Sequence, residues 1–125
     1  MLPTHKTKYS AGADVTSEHF YTLEPNKVVM VETGVIVPEN FPRDHFWQLC
    51  VRSSLAAKGV ILANGVGVVD ADYPGTIKAL LINTTSEVIQ ISPGERIGQL
   101  VAIPFTQVFE VEDVERIGGF GSTGK

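Results

Sequence analysis

The sequence predicts an all-β protein, a sandwich or barrel of short strands with one short helix. Three observations carry that expectation. Valine (16), isoleucine (9) and threonine (10) outnumber leucine (8) and alanine (8), and β-branched side chains lose rotamer freedom in helices but pack well on a pleated surface. The apolar runs between about residues 20 and 110 are only a few residues long. Turn-forming clusters separate them at Glu24-Pro25-Asn26, between Pro38 and Pro42, at Tyr73-Pro74-Gly75 and at Ser92-Pro93-Gly94.

In chain order, residues 20–23 and 27–32 read as strands on either side of the first turn, and 35–37 as a third that stops at Pro38. Residues 45–52 form a longer apolar run beyond the second turn. The one helical stretch is 53–58 (SSLAAK), with a serine positioned to cap it and Gly59 to end it. Strands at 66–69, 76–83, 87–91 and 97–105 follow, and a last one lies near Val108. There is no repeat or linker, and 125 residues make one domain, 1–125.

Charge and cysteine content narrow the class. Ten basic against fourteen acidic residues give a net charge of −4, which argues against a nucleic-acid partner, because clustered positive charge supplies most of that affinity. A single cysteine, Cys50, cannot form an internal disulfide. The first ten residues lack an apolar signal core, and no apolar run is long enough to span a membrane. The expectation is a soluble cytoplasmic protein without a membrane partner.

Several segments have the chemistry of a site. Alternation along 97–103 puts Gln99 on the face of Ile97, Val101 and Ile103, where its amide needs either backbone partners or a ligand. Arg52-Ser53-Ser54 stands at a strand-to-helix junction, where backbone N–H groups and a guanidinium suit phosphate, although the serines could equally serve as a helix cap. Residues 64–75 (NGVGVVDADYPG) gather an amide, two acids and an aromatic ring around one apolar hairpin. His5, His19 and His45 fall outside these clusters, so a carboxylate is the obvious general base. Cys50, between Leu49 and Val51, reads as a core or interface thiol. No Cys/His spacing fits zinc, and no GxxxxGK[ST] motif is present. After the acidic stretch 110–115, Arg116 leads into Gly118-Gly119-Phe120-Gly121-Ser122-Thr123-Gly124. Such a segment is either a plain tail or a flap whose N–H groups and hydroxyls close over a phosphate, with Phe120 on a base.

In order, these motifs resemble the homotrimeric dUTPases, the deoxyuridine triphosphate nucleotidohydrolases. The five are AGAD (11–14), RSSLA (52–56), residues 64–75, PGERIGQL (93–100) and GGFGSTG (118–124). The resemblance implies a β jelly-roll of the β-clip type and a flexible glycine-rich C-terminal arm, about residues 111–125, that closes the site of a neighbouring subunit. It also implies hydrolysis of dUTP to dUMP and pyrophosphate with Mg²⁺ on the triphosphate, which limits uracil in DNA and supplies dUMP for dTMP synthesis.

Residue by residue, the resemblance makes Asp70 the group that activates water for attack on the α-phosphorus. Asp14 holds the magnesium through water. Arg52, Ser53, Ser54 and Gln99 contact or brace the phosphates, with pairing of Arg52 to Asp14 or Asp72 as the structural alternative. Asn64, with the backbone at Gly67 and Lys78, reads uracil, and Tyr73 lies under the deoxyribose and excludes a ribose hydroxyl. Phe120 covers the base, while Ser122 and Thr123 reach the phosphates. Arg116 matches a γ-phosphate ligand, but one residue separates it from the final motif where the family commonly has two. A dUTPase-like regulatory protein with a protein partner, and a dCTP deaminase relative, are the competing readings.

Overall fold

In a computed structural model, residues 2–116 are described. Nine strands and one helix follow one another among them: β1 (Ala13–Thr16), β2 (Tyr21–Leu23), β3 (Val28–Glu32), β4 (His45–Val51), α1 (Ser53–Ala57), β5 (Val60–Leu62), β6 (Gly67–Val69), β7 (Lys78–Asn83), β8 (Ile89–Ile91) and β9 (Arg96–Pro104). They form a four-stranded sheet in the order β1-β9-β4-β6, a three-stranded sheet β3-β7-β5 and a pair β2-β8. Every pairing of these strands is antiparallel.

The all-β expectation holds. Strands β1 and β5 escape a sequence reading because each is short and embedded in something else. β1 contains Asp14 and is held by pairing to β9, while β5 follows directly on the helix. The expected strand at 35–37 does not form, although the Val35 carbonyl accepts a hydrogen bond from the Ile77 N–H at 2.7 Å. Nor does one form near Val108, whose side chain is exposed and finds no sheet neighbour to pack on. The helix is five residues long, with Arg52 at the N-cap position and no side-chain capping bond. The serine cap is therefore replaced by the Arg52 carbonyl, which accepts the N–H groups of Leu55 and Ala56. Gly59 does end it, at a φ of 96° that an L side chain adopts only with strain.

The core lies between the sheets. Leu23, Val31, Val60, Leu81 and Ile91 are completely excluded from solvent, and Leu49, Ile97 and Leu100 nearly so. A register shift between Val15 and Thr16, opposite Ile97, changes the alternation in β9. Ile97 and Leu100 both turn into the core, and Gln99 does not share the face of Ile97. The expectation for Gln99 is corrected on this point: it keeps Val101 and Ile103 as face-mates and sits half-buried on the outward side, opposite Cys50 and Asp14.

Candidate active site

The turn from β6 to β7 builds the richest part of the molecule. Asn64, Gly67, Tyr73 and Lys78 line one small cleft together with Leu49, Val68, Val69 and Ile77. The residues expected to read a base and a sugar thus converge although they span fifteen positions of sequence. Gly67 packs closely on its neighbour: a Cβ there would lie 3.1 Å from Leu49 Cβ, tighter than most Cβ contacts. Tyr73 is fixed by its hydroxyl, which donates to the Thr76 carbonyl at 3.2 Å, and by its N–H, which donates to the Asp70 carbonyl at 3.0 Å.

Asp70 follows Val69 and opens onto an adjoining cavity of about 360 Å³, lined by Arg43, Asp70, Ala71, Asp72, Phe105, Gln107 and Arg116. Its side chain is half exposed. Arg116 Nη1 donates to Asp70 Oδ2 at 2.5 Å and reaches Asp72 Oδ1 at 3.5 Å, and its guanidinium lies 5.4 Å from the centre of the Tyr73 ring. The resemblance sends this arm to a neighbouring subunit; in the single chain, Arg116 lies on carboxylates of its own. Its Nε is buried without an acceptor among the described residues.

Asp14, expected at the magnesium, lies on β1, and the expected phosphate contacts Gln99 and Arg52–Ser54 lie on β9 and at the β4–α1 junction. Asp14 pairs with Arg96 at 3.2 Å through one carboxylate oxygen, and Asp72 pairs with Arg116. Neither is the partner of Arg52, which forms no ion pair among the described residues. Arg52 is half-buried at the head of α1, its N–H on the Ile97 carbonyl at 2.9 Å, with Ser53 and Ser54 exposed beside it. Gln99 packs so closely on Gly12 that a Cβ there would fall 2.2 Å from its Oε1. That approach explains the glycine of the first motif. Phe120, Ser122 and Thr123 lie outside the described residues.

Sequence reasoning missed Arg43 and Gln107, which complete the cavity around Asp70, and Arg96, which sits in the fourth motif and could have been matched to Asp14 by charge. It also missed Glu32, behind the cleft. Its carboxylate accepts from the Thr76 hydroxyl and from the Gly34 N–H, both at 2.9 Å, and faces Lys78 Nζ at 3.5 Å. Burial raises its pKa, but the Gly34 and Thr76 hydrogen bonds and the Lys78 charge outweigh this and hold the carboxyl below the usual glutamate range. The stability it contributes is present above its unfolded pKa and is lost as pH falls through the lower folded value. Thermal denaturation scanned downward from about pH 4.3 should therefore show a shallower acid decline for Glu32→Gln than for the wild type.

Among the described residues there is no group of three or more His, Cys, Asp or Glu side chains able to cage a metal, and no helix long and apolar enough to cross a membrane. The family model for dUTPase matches residues 1–124. The deoxyuridine 5'-triphosphate nucleotidohydrolase of Rhizobium rhizogenes is 43% identical, over 98% of this chain and 85% of its own length. That of Nautilia profundicola is 39% identical, over 100% of this chain and 92% of its own. The crystal structure of dUTPase from Streptococcus mutans superposes with a TM-score of 0.80 at 33% identity, covering 87% of this chain and 89% of that one. With the family model matched over residues 1–124 and relatives of 39–43% identity covering nearly all of it, the chain belongs to the dUTPase family.

Proposed function

We propose that this chain hydrolyses dUTP to dUMP and pyrophosphate, with Asp70 as the general base and the cleft at Tyr73 as the nucleoside pocket. The observation that carries the reading is the convergence of Asn64, Gly67, Tyr73 and Lys78 on one cleft, with Asp70 one residue beyond its wall. An amide and backbone groups can read the uracil edge, because a base with the wrong donors leaves buried polar groups unpaired. The Tyr73 ring, held at both ends, supplies a rigid surface against the sugar and leaves no room for a 2′-hydroxyl.

Asp70 is suited to hold and deprotonate a water. Its contact with Arg116 uses Oδ2 and leaves the other oxygen outside that bond. Asp70 takes the proton as the water oxygen bonds to the α-phosphorus, and the electron pair of the breaking P–O bond leaves with pyrophosphate. Arg116 can turn from the carboxylates to a phosphate, and Arg52, Ser53, Ser54 and Gln99 supply further donors. Ser122 and Thr123 add hydroxyls on the phosphates, and Phe120 covers the base.

The acidic residues fit a magnesium that arrives on the triphosphate better than a resident one. No three-ligand cage is available among the described residues, and Asp14 offers one carboxylate, half-engaged by Arg96, to a metal's water shell. Mg²⁺ keeps several waters and is commonly bound by one or two carboxylates plus phosphates. It would neutralise charge building on the phosphate oxygens.

The reading includes a homotrimer with sites between subunits. Two features support it. The outward face of the four-stranded sheet carries Phe46, Val68, Val101 and Ile103 around Gln48 and Cys50. Beyond β9, Val108, Phe109, Val111 and Val114 are exposed along one segment of chain. Apolar side chains gathered on these surfaces suit contact with another chain, and a neighbouring copy would bring the group at Arg52 and Gln99 toward another chain's Asp70.

Hydrolysis in ¹⁸O-labelled water tests the reaction itself. Label in dUMP and none in pyrophosphate is expected; label in pyrophosphate would mean attack at another phosphorus.

A further inference from the structure

Glu32 lies on β3, a strand that carries none of the five motifs, yet it stands directly behind the cleft. The β3–β7 register sets it opposite Lys78. The residue is held from several directions. Oε2 accepts the Gly34 N–H at 2.9 Å, Oε1 accepts the Thr76 hydroxyl at 2.9 Å, and its own N–H donates to the Tyr21 hydroxyl at 3.0 Å. Thr76 then connects it to the two cleft residues. The Thr76 carbonyl accepts both the Tyr73 hydroxyl at 3.2 Å and Lys78 Nζ at 3.4 Å, and Lys78 Nζ also donates to Thr76 Oγ1 at 3.2 Å. The next residue is anchored as well: the Ile77 carbonyl accepts the N–H and the hydroxyl of buried Thr33, at 3.1 and 2.6 Å.

We propose that Glu32 is a positioning residue for the nucleoside pocket, fixing Tyr73 and Lys78 through Thr76 and so setting the preference for deoxyribose over ribose. The inference rests on the reading of the cleft as that pocket. Its physical basis is the location of the charge. Lys78 has 31% of its side chain exposed and Glu32 19%, so the pair sits partly out of water and each side chain helps hold the other in place. Without the negative charge the ammonium is drawn to water, the Thr76 hydroxyl keeps only a neutral acceptor, and the carbonyl that anchors Tyr73 is held less firmly. A ring set to exclude one hydroxyl works only while its position is held to a fraction of an ångström.

The test measures kcat and KM for dUTP and UTP in Glu32→Gln, Thr76→Val, the double variant and Tyr73→Ala, each first checked for wild-type oligomeric state and thermal melting. Glu32→Gln should raise KM for dUTP about tenfold, the effect of one charge-assisted hydrogen bond, and lower the dUTP:UTP preference in kcat/KM by a similar factor. Its kcat for dUTP should be unchanged. Thr76→Val should reproduce that pattern, and the double variant should be no worse than the worse single one, because both act through the same link. If Tyr73→Ala erodes the preference while Glu32→Gln and Thr76→Val both leave KM and preference at wild-type values, the proposal is wrong and the pocket reading stands. If Tyr73→Ala itself leaves the preference intact, the pocket reading fails and the proposal fails with it.

Discussion

Asp70→Asn lowers kcat for dUTP by about 10²–10⁴, the contribution usual for a positioned general base, and leaves KM nearly unchanged. The substitution keeps the shape of the side chain and its ability to accept from Arg116, so the cavity keeps its form. What is lost is the negative oxygen that takes the proton of the attacking water. Because the Tyr73 N–H bonds to the backbone carbonyl of Asp70 and not to its side chain, the cleft at Tyr73 is untouched. Steady-state kinetics with pyrophosphate detection checks this. A raised KM with kcat preserved would make Asp70 a binding group and require another base, with Asp72 the nearest carboxylate in the same cavity.

Deleting residues 117–125 lowers kcat/KM by at least about 10²-fold, by removing the groups that close the site and orient the triphosphate, without changing thermal melting. The stability half of this expectation rests on burial. Beyond β9 every described residue up to Glu115 is exposed, and the core is complete by Leu100. The chain nonetheless leads back to the site, since Arg116 stands on Asp70 and beside Tyr73. Whether the arm works on its own chain or a neighbour's is decided by complementation. Co-expressed Asp70→Asn and truncated chains should recover about a quarter of the wild-type rate if each site in a trimer takes its carboxylate and its arm from different chains. No recovery would mean that the arm acts on the chain that carries it, as the Arg116 contact within one chain would allow.

The class of fold and the main motifs were legible because both depend on local chemistry. β-Branched runs between Gly and Pro turns specify short strands, and Gly59 marks the helix end by its backbone alone. Asn64, Tyr73 and Asp70 were legible because one hairpin holds them within ten residues of each other. What stayed hidden depends on register. The shift opposite Val15 and Thr16 that turns Gln99 away from the core leaves no mark in the alternation of 97–103. Glu32 meets Lys78 and Thr76 across 44 or more positions of sequence, and a glutamate ending a strand reads as a solvated residue until its neighbour strand is known. The serine cap failed for a similar reason: Arg52 takes the N-cap position because β4 runs directly into the helix.

The most direct measurement is pyrophosphate release with Mg²⁺, comparing dUTP with UTP, dTTP and dCTP at matched concentration. Rapid release from dUTP, with little from the other three, is the expected result of the proposal that Asn64 and the cleft backbone select the base and Tyr73 the sugar. Comparable release from UTP or dCTP, or binding of dUTP with no release at all, would contradict the assignment of this cleft and of Asp70.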